Sequence, residues 1–161
     1  MKSNRVIGVF IAGCCAVVFV WFCICYDTMV FGLEELTDGK SGAPLLGESR
    51  RDFIAQCDRF SDVPIAERDN IQLGIIQLRH GIALVHLRKW ALHLCGGHSM
   101  PAWIVNAKGK IIAEDGADLV EVSSSMVLPV VQVRTVYLSA IPMETIFKIS
   151  DGVVLEKKSN Y

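Results

Sequence analysis

All four histidines of the chain, His80, His86, His93 and His98, fall within 19 residues, in a stretch from Asn70 to Ala113 that holds no Asp or Glu. Arg79, Arg88, Lys89, Lys108 and Lys110 share that stretch. Histidine is the side chain whose charge ordinarily changes between about pH 5 and 8, which makes the cluster a candidate pH-sensing group. From Asp27 onward there are 14 basic and 17 acidic residues, a net of −3, and protonating four histidines brings it to +1. Basic neighbours lower a histidine's pKa, whereas a carboxylate folded against it raises the value. Glu114, Asp115, Asp118 and Glu121 follow directly and are the candidate carboxylate partners, with His86 and His93 expected to meet them. Such pairs would make acid the ordering condition. The plainer reading is four solvated or core-satisfied histidines on one helix.

Four of the six cysteines, Cys14, Cys15, Cys23 and Cys25, lie in an apolar N-terminal run, where they read as small packing residues. Cys57 and Cys95 remain outside it, and in an oxidising compartment the expected arrangement is a disulfide between them. His93, Cys95 and His98 also have the spacing His-x-Cys-x-x-His, but no second ligand cluster accompanies it, so no metal is expected. No catalytic residue and no cofactor are implied, and the chain reads as a non-enzyme. A periplasmic thiol or metal enzyme ranks last.

These groups need a frame to position them. Val6 to Tyr26 is an uncharged run of 21 residues, long enough as a helix to span about 31 Å, the thickness of a hydrocarbon layer. It ends in Trp21, Phe22 and Tyr26 rather than in small residues, which argues against a cleaved signal peptide and suits an interfacial aromatic belt. Ile11-Ala12-Gly13-Cys14 resembles a lipoprotein processing box, a weaker reading because the apolar stretch before Cys14 is short. Lys2 and Arg5 precede the run, and no basic residue follows it until Lys40, so the N-terminus is expected in the cytoplasm. The expected division is a cytoplasmic stub 1–5, a single-pass span 6–26 in a bacterial inner membrane, a juxtamembrane linker 27–47 and a periplasmic domain 48–161. That location excludes direct contact with nucleic acid.

Within the domain, Phe53, Ile54, Cys57 and Phe60 form one apolar stripe, predicting a helix over 49–61 with Ser49 and Asp52 as a capping box and Pro64 beyond its end. Residues 71–80 are ambiguous between helix and strand. Residues 82–95 gather Ala83, Leu84, Leu87, Trp90, Ala91 and Leu94 on one face at helical spacing, with His86, Lys89 and His93 opposite and Gly96-Gly97 as a stop. Strands are expected at 102–105 and 110–113, over 127–138, and at 145–149 and 153–156 around Asp151-Gly152. The expected fold is α+β, with an N-terminal transmembrane helix and two or so helices packed on an antiparallel sheet of four or five strands.

The run from Ala102 to Ile112 is similar to the hairpin of PAS-like extracytoplasmic sensor domains. The whole layout, a few basic residues, one anchor and a periplasmic domain with two cysteines, resembles small inner-membrane accessory regulators of the ToxS and PsaF/MyfF type. That resemblance implies a partner, a membrane-bound winged-helix transcription activator with its own periplasmic domain, which such proteins protect and help respond to the environment. One branch is associated with acid-induced fimbrial genes. It carries over no catalytic residue and is compatible with homo- or hetero-oligomers. The alternative function is a structural subunit of an envelope secretion or pilus assembly machine.

Overall fold

The computed structural model describes residues 26–32, 42–88, 100–126 and 128–160. The stub 1–5, residues 6–25 of the expected span, and His93, Cys95 and His98 lie outside them. Among the described residues no helix is long and apolar enough to cross a membrane. The elements are β1 (Tyr26–Gly32), β2 (Ala43–Pro44), α1 (Gly47–Gln56), a 3₁₀ turn (Asp58–Phe60), α2 (Ile65–Arg68), β3 (Leu73–Gln77), β4 (Ala83–Leu87), β5 (Met100–Val105), β6 (Ile111–Ala117), β7 (Leu119–Ser125), β8 (Val130–Tyr137), β9 (Met143–Ser150) and β10 (Val153–Asn160). They form two five-stranded sheets, ordered β1-β7-β8-β9-β10 and β2-β3-β4-β5-β6, with every pairing antiparallel.

The second sheet is the middle layer of three. Ile82, Leu84, Ala102, Ile104 and Ala117 on one of its faces pack against Val120, Val122, Val131, Val133, Phe147 and Ile149 of the first sheet. Ala83, Val85, Leu87, Trp103 and Val105 on its other face pack against Phe53, Ile54, Cys57 and Phe60 of the helical layer. Trp103 is the centre of this second core: it is 0% exposed, with the Phe53 ring edge-on at 5.4 Å and the Phe60 ring tilted at 5.7 Å. Two arginines tie the irregular helical layer together with side-chain hydrogen bonds. Arg50 donates to the carbonyls of Ile71 and Arg68, and Arg68 donates to those of Val63 and Ser61.

This architecture overturns the expected α+β fold with helices packed on one sheet of four or five strands: about 55% of the described residues are strand, in two sheets, and no N-terminal transmembrane helix is seen among them, residues 6–25 of the expected span lying outside. The expected helix over 82–95 begins as strand β4, all five residues of which are buried. A strand buried on both faces loses the polar alternation that marks a half-exposed one, and its continuous apolar run imitates a helix stripe. Two strands, β1 and β2, occupy the span 27–47 read as a linker, and β1 already includes Tyr26. The apolar stripe at Phe53, Ile54, Cys57 and Phe60 is buried, although α1 breaks at Gln56 and resumes as the 3₁₀ turn. Its N-cap is Leu46, without a side-chain cap, rather than the Ser49 box.

Two-residue turns close two of the hairpins. Asp151 and Gly152 join β9 to β10 with φ of 51° and 71°, the positive pair that a type I′ turn requires. His80 and Gly81 do the same between β3 and β4, with φ of 57° and 68° and the Ile82 N–H bonded to the Arg79 carbonyl. Between β5 and β6, the Asn106 side chain accepts from the backbone N–H groups of Lys108 and Lys110, and Gly109 takes the left-handed position.

Trp103→Ala is expected to destabilise the domain by about 3–5 kcal/mol, because the cavity would open between sheet and helical layer where both phenylalanine rings converge. A urea titration measures it. A loss below about 1 kcal/mol would show that the helical layer does not depend on this ring.

Candidate functional site

His86 lies on β4 on the face turned toward the first sheet, and it is 1% exposed. Its Nδ1–H donates to the Leu87 carbonyl at 3.0 Å, and its Nε2 has no hydrogen-bond partner among the described residues. The ring lies over Gly74, its cross-strand partner on β3: a Cβ at Gly74 would stand 2.4 Å from Nε2. Gly42 closes the cradle, since a Cβ there would fall 3.2 Å from the same nitrogen. Burial lowers the His86 pKa below the ordinary histidine value. The Leu87 carbonyl opposes this shift, and the nearby Arg88 charge reinforces it.

The carboxylates proposed from sequence are engaged elsewhere. Glu114 pairs with Arg59, tying β6 to the 3₁₀ turn. Asp115 accepts from Thr135 Oγ1 at 2.6 Å and from the Gly116 N–H at 2.9 Å, a tie between the two sheets. Asp118, at the bend between β6 and β7, accepts from the Leu138 N–H at 2.7 Å. Glu121 receives Arg134 at 2.8 Å, and Arg134 also reaches Glu144, so its own pKa is raised by the two carboxylates. His86 and Asp115 share a face with Ala102 between them, two strand spacings or roughly 10 Å apart. The imidazole turns the other way, over Gly74.

His80 serves the seam between the sheets. Its Nε2–H donates to the Ser125 carbonyl at 2.8 Å, and neighbouring Arg79 pairs with Asp27 at 3.3 Å. Cys57 is a free, buried thiol, and no cysteine pair is seen among the described residues, because Cys95 lies outside them. Burial pushes the Cys57 thiol up to about 11, opposed by the Arg59 backbone N–H, so it stays protonated and packs as a small apolar group. His93 and His98 lie outside the described residues, among which no group of three or more His, Cys, Asp or Glu is placed to hold a metal ion.

Comparison with protein-family profiles, with characterised proteins and with solved structures finds no match to this chain. Its own geometry therefore carries the functional reading. Beyond the titratable groups, a cleft of about 520 Å³ lies between α1 and the middle sheet. Leu45, Phe53, Ile75, Ala83, Val85 and Val105 line it with apolar surface, and Ser49, Asp52, Gln56, Gln77, Asn106 and Lys108 supply polar groups. Its size suits a small molecule with an apolar body and a few polar groups. No motif marks these residues in the sequence, because they come from five separate segments.

The acid response follows from the His86 cradle. The unfolded chain takes up a proton near the ordinary histidine value of about 6.5, while the folded site resists it. Stability from this residue is present above that value and lost as pH falls toward the lower folded pKa. Between pH 7 and 5 the urea midpoint of the domain should fall, and less steeply in His86→Gln. Equal slopes in the two proteins would remove His86 as the cause. In a second test of the same cradle, Gly74→Ala should destabilise strongly in the parent and much less beside His86→Ala, a coupling a double-mutant cycle measures.

Proposed function

We propose that this protein is a non-enzymatic accessory regulator held in a bacterial inner membrane, its N-terminus cytoplasmic and its β domain periplasmic. There it binds and stabilises a membrane-bound winged-helix transcription activator through that activator's own periplasmic domain. The observation that carries the reading is the position of β1. Tyr26, the last residue of the uncharged run, is also the first of β1, so the anchor leads into the sheet with no spacer. Among the described residues β1 has one strand neighbour, β7, which leaves its other edge as the strand of this sheet closest to the membrane with an open ladder.

The two edges of the first sheet are built differently. At the far edge, β10 carries Glu156, Lys157 and Lys158 and a register shift after Val154, features that discourage strand addition. In contrast, β1 reads Tyr-Asp-Thr-Met-Val-Phe-Gly, with a single charge at its start and Val30 59% exposed. Backbone pairing along such an edge is a common way to recruit an extended segment of a partner. The same edge would also serve a subunit of an envelope secretion or pilus assembly machine, the alternative reading. The direction at His86 supports a response in which acid loosens the domain rather than orders it.

The test uses the full chain in its native membranes. A reporter active only in the periplasm, fused after Tyr161, should be active. Val30→Lys should reduce co-purification of a partner carrying a cytoplasmic winged-helix domain at least tenfold, with no change in unfolding midpoint. Recovery of that partner undiminished by the substitution would reject the edge, and recovery of secretion or pilus components would favour the alternative.

A further inference from the structure

The turns at one end of the two sheets form a common surface. Tyr26 pairs with Ser125, so the β7–β8 turn that starts at Met126 lies beside the entry of β1. Val130 pairs with Ser150 and Ser150 with Val153, which brings the β9–β10 turn to the same end. The β5–β6 turn touches that hairpin, since a Cβ at Gly152 would lie 3.1 Å from Asn106 Cβ, and it touches the β3–β4 turn, since a Cβ at Gly81 would lie 3.0 Å from Ala107 Cβ.

This end exposes apolar side chains at and beside turn positions that ordinarily hold polar ones. Met126 and Leu128 are each 53% exposed and Val153 is 59% exposed. Lys108 and Lys110 are exposed on the adjoining β5–β6 turn, while Arg79 is engaged by Asp27. Apolar tips beside exposed lysines match the two layers of a phospholipid interface, acyl chains below and headgroup phosphates above.

We propose that this end of the domain rests on the bilayer, with Met126 and Leu128 inserted at the level of the headgroups and Lys108 and Lys110 against their phosphates. The proposal rests on the anchored reading given above. The occupant follows from where the chain outside the described residues ends: the uncharged run from Val6 stops at Tyr26, inside β1. Adjacent antiparallel strands stand about 5 Å apart, and the interfacial layer on each side of a bilayer is roughly 5–7 Å deep. A turn one residue beyond the partner of Tyr26 therefore lies within that layer. The opposite end of the sheet, at Leu138 and Ile141 of the β8–β9 turn, is also apolar and exposed but lies a full strand length away.

The full chain would be reconstituted in vesicles of phosphatidylethanolamine and phosphatidylglycerol, with a diazirine amino acid placed singly at Val17, Leu128 or Ile141. Irradiation should give lipid adducts at positions 17 and 128 and at least tenfold less at 141. Adducts at 17 without adducts at 128 would overturn the membrane contact and leave the anchor standing. No adduct at 17 would overturn the anchor and this inference with it. An adduct of position 128 with a second copy of the chain instead of lipid would assign the turn to a protein interface and reject the proposal. Met126→Asp with Leu128→Asp supplies a second measurement: these exposed changes should leave the unfolding midpoint in place and increase protease access to the turn in vesicles. Unchanged access would count against insertion.

Discussion

The fold depends on burying the middle sheet on both faces at once. Strands β4 and β5 are enclosed along almost their whole length, by the first sheet on one side and by α1 and the 3₁₀ turn on the other. A two-sided sheet must carry apolar side chains at successive positions, and any polar group there must find a partner inside the protein or remain without one. Trp103 and the two phenylalanines meet the first demand on the helical side. His86, on the side of the first sheet, meets the second only in part, with one nitrogen bonded and the other without a partner among the described residues.

That half-satisfied histidine is where packing becomes pH dependence. The cradle exists because residues 42 and 74 lack side chains, and the ring fills the space their Cβ atoms would occupy. A neutral imidazole fits, whereas a cation there would be desolvated with Arg88 nearby. The carboxylates that could have reversed the sign are committed to holding the layers together: Glu114 joins the helical layer to β6, and Asp115 joins β6 to β8. Their chemistry is spent on the seams of the fold, and this leaves acid a loosening influence.

The seams also orient the domain. His80 and Arg79, at the tip of the β3–β4 hairpin, bind Ser125 and Asp27 at the end of the first sheet where β1 begins. The cleft between α1 and the middle sheet extends to this end as well, through Gly81 and the residues from Asn106 to Gly109. On the proposed reading, an anchor leading into β1 without a spacer would present this end in one direction, with the open edge of β1 running away from it. Backbone pairing thereby holds the start of β1, its open edge and the His86 core in a defined relation.

By itself the sequence determined the features that depend on neighbours along the chain: the uncharged run of residues 6–26, the apolar stripe at Phe53, Ile54, Cys57 and Phe60, and the hairpins at Asn106–Gly109 and Asp151-Gly152. Each is a local pattern of spacing or turn chemistry. The β3–β4 hairpin escaped because histidine stands where Asn or Asp usually signals such a turn, although His tolerates the left-handed conformation better than most residues. Only the tertiary structure decided that residues 83–87 are strand, since a strand enclosed on both faces has no polar alternation and reads as a helix. It alone decided the surroundings of His86: Gly74 lies next to it through strand pairing, and Asp115, on the same face, is separated from it by Ala102. Register between strands distant in sequence sets which charges meet, and no spacing along one chain segment encodes that register.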